Sequence, residues 1–268
     1  MLKNITLGQY FPGSTIVHRL DPRTKLILVI VYIAALFAAK GFVSYLLVFT
    51  VLVTCFALSR ISPKTILRGV RPILLIIAFT AIINVFFTQD GTVVFELWII
   101  RITDDGLISA AFMVSRLFML ITGTFLLTYT TSPIALTDGL ELMMNPLKKI
   151  RIPVHELAMM MSIALRFIPT LIEETDKIMS AQKARGANFE SGGIFKRAKA
   201  ILPLIIPLFV SAFRRADELA MAMESRCYHG GEGRTRMKTL KSAARDYIAL
   251  FLGAVLLAVI IVARQVGI

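Results

Sequence analysis

Two arginines in similar surroundings are the residues of this 268-residue chain whose chemistry needs explaining first. Ala184-Arg185-Gly186 closes the stretch SAQKARG, and Ser225-Arg226-Cys227 closes AMESRC. Asp176 lies nine residues before Arg185, Asp217 lies nine before Arg226, and the two arginines are 41 apart. A guanidinium is a planar fork of donors that makes several directed bonds to carboxylates or carbonyls at a desolvated site. One arginine near a helix C-terminus is accounted for by the macrodipole, an effect of about 0.3–1 kcal/mol. Dipole complementation does not require the same interval twice, so the repetition points to two helix tips, each inserting into a pocket on a similar partner.

Other chemistry is sparse. No GxxxxGK[ST] loop occurs, so the chain does not cradle nucleotide phosphates in that way. HELAM, His155 to Met159, has Met159 where a zinc-protease HExxH places its second histidine, and is set aside as a metal site. Cys55 and Cys227 are too few for a disulfide framework or a four-ligand zinc site, even with His229 beside the second. The apolar segments hold neither a Ser/His or Asp/Asp pairing nor a carboxylate for ion coupling. The chain is expected not to be an enzyme, with no cofactor and no metal of its own.

The elements that position the arginines follow from composition. At 56% hydrophobic and 18% charged residues, with a mean hydropathy of +0.74, the chain reads as an all-α, polytopic membrane protein. The first 25 residues lack a signal-peptide pattern and are read as mature sequence. Asp21 is a candidate N-cap and Pro22 a first helical residue for a crossing that ends near Ala39; Phe42 to Leu58 makes a second after a turn at Lys40-Gly41. A third runs from Pro72 to about Thr88, a fourth from Leu107 to Tyr129 and a fifth from Tyr247 to Val262. QDGTVVFELWIIRITDDG, between the third and fourth, reads as an interfacial loop. Arg116 is the only ionisable residue well inside a span and should face protein or water. With the N-terminus cytoplasmic and the C-terminus outside, only Lys40, Arg101 and Arg264 fall on the far side, which accounts for most of the +13 net charge without nucleic acid.

Residues 1–130 are thus expected to form a four-span membrane domain, 131–246 a cytoplasmic helical domain too charged to cross, and 247–268 the last span. Within 131–246, a short helix lies between Pro133 and Pro146. A second helix carries Leu157, Met161, Leu165, Ile168, Ile172, Thr175 and Met179 on one face, with Glu173 and Lys177 paired on the other. A third, from about Ile194, carries Phe209, Phe213, Ala216, Leu219 and Met223. Its apolar part, Ile201 to Phe213, is interrupted by Pro203 and Pro207 and suits the interface or a protein surface. AMMMSIAL and ELAMAMES place Met159, Met160, Met161, Ala164, Met221 and Met223 on helices, either as plain packing or as a soft, repackable partner surface.

GQYFPGSTIVHRLDPRTKL, the basic flanks, and the helix ends KARG and ESRC together resemble the transmembrane T component (EcfT/CbiQ family) of energy-coupling factor vitamin and metal transporters. The resemblance implies a scaffold joining two ABC-type ATPase subunits, which hold ATP and magnesium, to a membrane substrate-binding S component in a prokaryotic plasma membrane. It implies that Ala184-Arg185-Gly186 and Ser225-Arg226-Cys227 each dock in one ATPase, and that the methionine-rich surface meets the S component. The first triplet fits the family's Ala-Arg-Gly-like motif fully; the second keeps its central arginine. A secondary transporter or channel with its own solute site, and a membrane-anchored adaptor binding anionic lipid or a soluble partner, are the rival readings.

Overall fold

The computed structural model describes residues 10–87, 92–97, 100–187, 189, 193–231 and 239–266. The chain divides into two compact units: Gly8–Gly139 with Leu240–Ile268, and, as far as the described residues go, Leu140–Thr239.

The first unit is a bundle built around α1 (Pro22–Ala38), whose N-cap is Asp21 with Pro22 at the first position, as expected. Asp21 Oδ1 accepts from the Arg23 N–H at 2.9 Å, satisfying one of the amides left free at a helix start. Helix α2 (Phe42–Ser59) begins after a break at residues 39–41, so the turn at Lys40-Gly41 is present. Helix α3 (Pro63–Val70) continues through a short tight-wound turn into α4 (Leu74–Phe87), giving one 25-residue helical run that starts nine residues before the expected Pro72. Ser62 and Pro63 account for the earlier start, because the Ser62 side chain accepts from the Thr65 N–H. Between α4 and α5 (Asp104–Thr130), strands β1 (Val93–Leu97) and β2 (Ile100–Thr103) pair antiparallel, so the expected loop contains a hairpin. Its β-branched residues favour that conformation.

Cross-helix contacts give each helix its direction. Lys25 near the start of α1 meets Thr130 at the end of α5, and the Tyr32 hydroxyl donates to the Met119 carbonyl at 2.9 Å, so α1 and α5 are antiparallel. A side chain at Gly123 would meet the Tyr32 ring at 2.4 Å, so only glycine allows this approach. Helix α9 (Ala244–Val266) runs parallel to α1: Asp246 accepts from the Asp21 N–H at 2.8 Å, Leu28 lies against Gly253, and Leu36 and Ile260 share one buried cluster. That cluster, Ala35, Leu36, Ala39, Tyr45, Val48, Leu52, Met119, Leu256 and Ile260, joins α1, α2, α5 and α9. Most other apolar residues of the unit face outward, as a lipid-exposed bundle requires.

Polar groups gather where α1 and α9 begin. Lys25 is buried, and its Nζ donates to the carbonyls of His18 and Thr130 and to Thr131 Oγ1 at 3.2, 2.9 and 3.2 Å. Asp246 accepts from the Asp21 and Ala243 amides, while Arg23 bonds Asp21 and the Leu240 carbonyl. Burial pushes the Asp21 carboxyl upward, but donors from the Arg23 side chain and backbone prevail and hold it below its ordinary value. LDPRTKL is therefore a clasp holding three helices at one face.

Helix α6 (Pro133–Met144) leads into the second unit, whose main elements are α7 (Val154–Ala184) and α8 (Ile194–Glu224), each 31 residues and so about 46 Å long. Among the described residues, five helical segments are long and apolar enough to cross a membrane, and four of them, α2, α3 with α4, α5 and α9, coincide with expected crossings. α1 has 17 residues and is not among them, whereas α7 is, at a mean hydropathy of 1.3. Within 131–246, expected to be too charged to cross, the first half of α7 is thus apolar enough by length and composition alone. Residues 154–171 carry only Glu156 and Arg166, and the charges expected to exclude α7 fall in its second half, at Glu173, Glu174, Asp176, Lys177 and Lys183.

Candidate functional site

Helices α7 and α8 pack antiparallel. Glu174 Oε2 accepts from Arg215 Nη2 at 3.0 Å, Ser211 Oγ donates to Glu174 Oε1, and Gln182 Nε2 donates to the Pro203 carbonyl at 3.5 Å. The last contact has a local cause. Pro207 has no N–H, so the Pro203 carbonyl loses its intrahelical donor, and Gln182 of the neighbouring helix supplies one. Nearer the start of α7, Ile163, Phe167 and Leu171 face Ala216, Leu219 and Met223 across a groove of about 480 Å³.

This register differs from the face read from periodicity. The stripe of α7 that meets α8 contains Ile163, Phe167, Leu171 and Glu174, next to the expected Met161-Leu165-Ile168 stripe. On α8, Ala216, Leu219 and Met223 do face α7, whereas Phe209 and Phe213 point outward. The Glu174–Arg215 pair decides the difference: a carboxylate with two partners on α8 rotates its stripe inward, and periodicity counted only apolar residues. Glu173 and Lys177 are both exposed.

Because the helices are antiparallel, Arg185 and Arg226 stand at opposite ends of the pair. Both are exposed, and both helix ends have the same turn. Arg185 is the C-cap of α7; Gly186 follows at φ +87°, its N–H donating to Lys183 O at 3.0 Å, and the Ala187 N–H donates to Gln182 O at 3.0 Å. At α8, Arg226 is followed by Cys227 at φ +55°, whose N–H donates to Glu224 O at 2.8 Å, and the Tyr228 N–H donates to Met223 O at 3.1 Å. Each triplet thus places arginine immediately before a left-handed residue that ends the helix.

This geometry gives the third position of each motif a physical role. Gly186 adopts the left-handed conformation without a side-chain penalty, and Cys227 adopts it with one. In sequence the triplets share only the arginine; the backbone dihedrals place Cys227 where Gly186 stands. Both thiols are free, Cys55 partly buried in α2 and Cys227 exposed.

Met160, Met161, Ala164 and Met221 are exposed, Met159 is partly buried, and Met223 lines the groove between the helices, so its contacts are packing. His155 Nδ1 donates to Glu141 Oε1 at 2.9 Å and ties the start of α7 to the end of α6. Arg116, expected to face protein or water, lies with its guanidinium 5.8 Å from the Phe37 ring and 5.7 Å from the Tyr45 ring.

Comparison with known proteins bears on the whole chain. Residues 13–239 match the family model described as cobalt transport protein, CbiQ. A protein of Thermosediminibacter oceani named energy-coupling factor transporter transmembrane protein EcfT is 53% identical over 258 residues, covering 96% of this chain and 97% of its own length. Proteins with the same name from Clostridium kluyveri and Bacillus subtilis are 50% and 48% identical, over 98% and 92% of this chain and 98% and 93% of their own lengths. With these matches spanning both units and all the helices described, the chain belongs to the CbiQ family of energy-coupling factor transporter transmembrane proteins and is a multi-pass membrane component of that transporter class.

Proposed function

We propose that this chain is the coupling subunit of its transporter, carrying the motion of two ABC-type ATPase subunits to a membrane substrate-binding S component. The observation that carries the reading is the pair of 31-residue helices, packed antiparallel, each ending in an exposed arginine followed by a left-handed residue. Two equivalent tips at opposite ends of one helix pair suit two equivalent grooves. Ala184, Arg185 and Gly186 enter one ATPase, and Ser225, Arg226 and Cys227 enter the other. ATP and magnesium belong to those partners; this chain binds no cofactor and catalyses no reaction.

Closure of the ATPases then shifts the tips relative to each other, and the Glu174–Arg215 and Gln182–Pro203 links pass the displacement between the helices. The exposed residues Met160, Met161, Ala164 and Met221, with Met159 and Met223 beneath them, form the surface that holds the S component, where methionine repacks at low cost. The chain sits in a prokaryotic plasma membrane with its N-terminus cytoplasmic and its C-terminus outside. The parallel course of α1 and α9, and the basic residues clustered at the face where both begin, support that orientation.

The test is co-purification of wild type, Arg185→Ala, Arg226→Ala and the double variant with the ATPases, alongside ATP-dependent uptake. Each single variant should weaken docking at its site by about 2–5 kcal/mol, the cost of truncating one partner of a buried hydrogen-bonded charge pair. Undiminished assembly and uptake in the double variant would return both arginines to ordinary helix-end residues. Uptake by the chain alone would favour a solute site within the spans.

A further inference from the structure

Arg116 has a set of neighbours that the coupling role does not use. It lies twelve residues into α5, and helix side chains lean toward the helix N-terminus, so its guanidinium points toward the face where α5 begins and α1 ends. There it lines a cavity of about 300 Å³ with Lys40, Asn84, Ser109, Tyr45 and Phe112. Lys40 belongs to the turn after α1, Asn84 is three residues from the end of α4, and Ser109 is five residues past Asp104. All sit near the ends of their elements, at the level of one membrane face.

Among the described residues, the cavity lining has two cations and no carboxylate. The contact recorded for the Arg116 guanidinium with a protein oxygen is a long one, 3.5 Å from Nη2 to the Ala39 carbonyl. Arg116 Nε and the Tyr45 hydroxyl are buried without partners among the described residues. Donors with so few acceptors, together with two positive charges, define a site for an oxyanion. The same elements carry exposed apolar residues, Phe37, Phe42, Ile83, Phe87 and Ile108, and the Phe37 ring lies 5.8 Å from the Arg116 guanidinium. A free ion has no use for exposed apolar surface of this kind, whereas acyl chains would lie against it.

We infer that this cavity binds the phosphodiester of an anionic phospholipid, held by Arg116 and Lys40, with Ser109 and Asn84 as further polar contacts. Arginine suits the inner position because its planar fork matches two phosphate oxygens, and Lys40 at the rim adds a point charge. The inference does not depend on the ATPase-coupling reading.

Native mass spectrometry of the full chain, released from micelles containing dioleoylphosphatidylglycerol or dioleoylphosphatidylcholine, tests it. Wild type should retain the glycerol lipid over the choline lipid, and Arg116→Gln and Lys40→Gln should each reduce that retention about fivefold. Arg116→Lys should keep most of it. If Arg116→Gln does not fold, the exposed Lys40→Gln carries the comparison alone. Equal retention by wild type and Lys40→Gln would overturn the site. Displacement of the lipid by excess inorganic phosphate would show that a free anion is the occupant and overturn the lipid assignment.

Discussion

If the two arginine tips are built by one turn, exchanging their left-handed residues should have opposite effects. Gly186→Ala places a Cβ at φ +87°, where no described residue lies within 4 Å, so the cost is backbone strain. The left-handed region costs an L-residue about 1–2 kcal/mol, and the less flexible unfolded chain returns about 0.4–1 kcal/mol, leaving a net loss of roughly 1 kcal/mol. Cys227→Gly reverses both terms at φ +55° and should stabilise the α8 end by a similar or slightly smaller amount. Hydrogen exchange reads each end separately, through the Ala187 amide that donates to Gln182 O and the Tyr228 amide that donates to Met223 O. Where exchange follows the local opening equilibrium, the Ala187 amide should exchange about fivefold faster in Gly186→Ala, and the Tyr228 amide about two- to fivefold slower in Cys227→Gly. Unchanged exchange in both variants, or a change of the same sign in both, would refute the equivalence of the two turns. A docking assay on the same proteins separates shape from charge, because Arg185 and Arg226 are retained.

Three further expectations concern the supports of these tips and the clasp. Lys25→Met leaves the carbonyls of His18 and Thr130 without their buried cationic donor and should cost about 3 kcal/mol, seen as a lower thermal midpoint in detergent. Glu174→Gln should cost only about 0.5–1 kcal/mol, since the pair is partly exposed, but should loosen cysteine cross-linking between α7 and α8 near residues 171 and 212. His18 is held neutral, with burial as the main cause of its lowered pKa; Nε2 donates to the Phe11 carbonyl and Nδ1 accepts from the Thr15 hydroxyl. The unfolded chain therefore takes up the proton first, and this contribution to stability should fade as pH falls below about 6.5. His18→Gln should flatten that part of a pH–stability curve, and an unaltered curve would count against the assignment.

Much of this molecule was legible without coordinates because a bilayer restricts the choices. Apolar run lengths and Asp21-Pro22 located the helices of the first unit, since lipid leaves backbone amides only helix or closed barrel. The repeated arginine was also visible, as a fact of spacing. Three things needed the tertiary structure. The face of α7 that meets α8 depends on Glu174 finding Ser211 and Arg215, a pairing between residues 37 and 41 positions apart that no local period encodes. The burial of Lys25 depends on Thr130 and Thr131, more than a hundred residues away. The likeness of Gly186 and Cys227 is one of dihedral angle, which residue type does not reveal when a cysteine accepts the strain that glycine avoids. Periodicity and hydropathy record what each segment prefers next to solvent or lipid; the partners of buried polar groups and the sign of φ at a helix end are set by the rest of the fold.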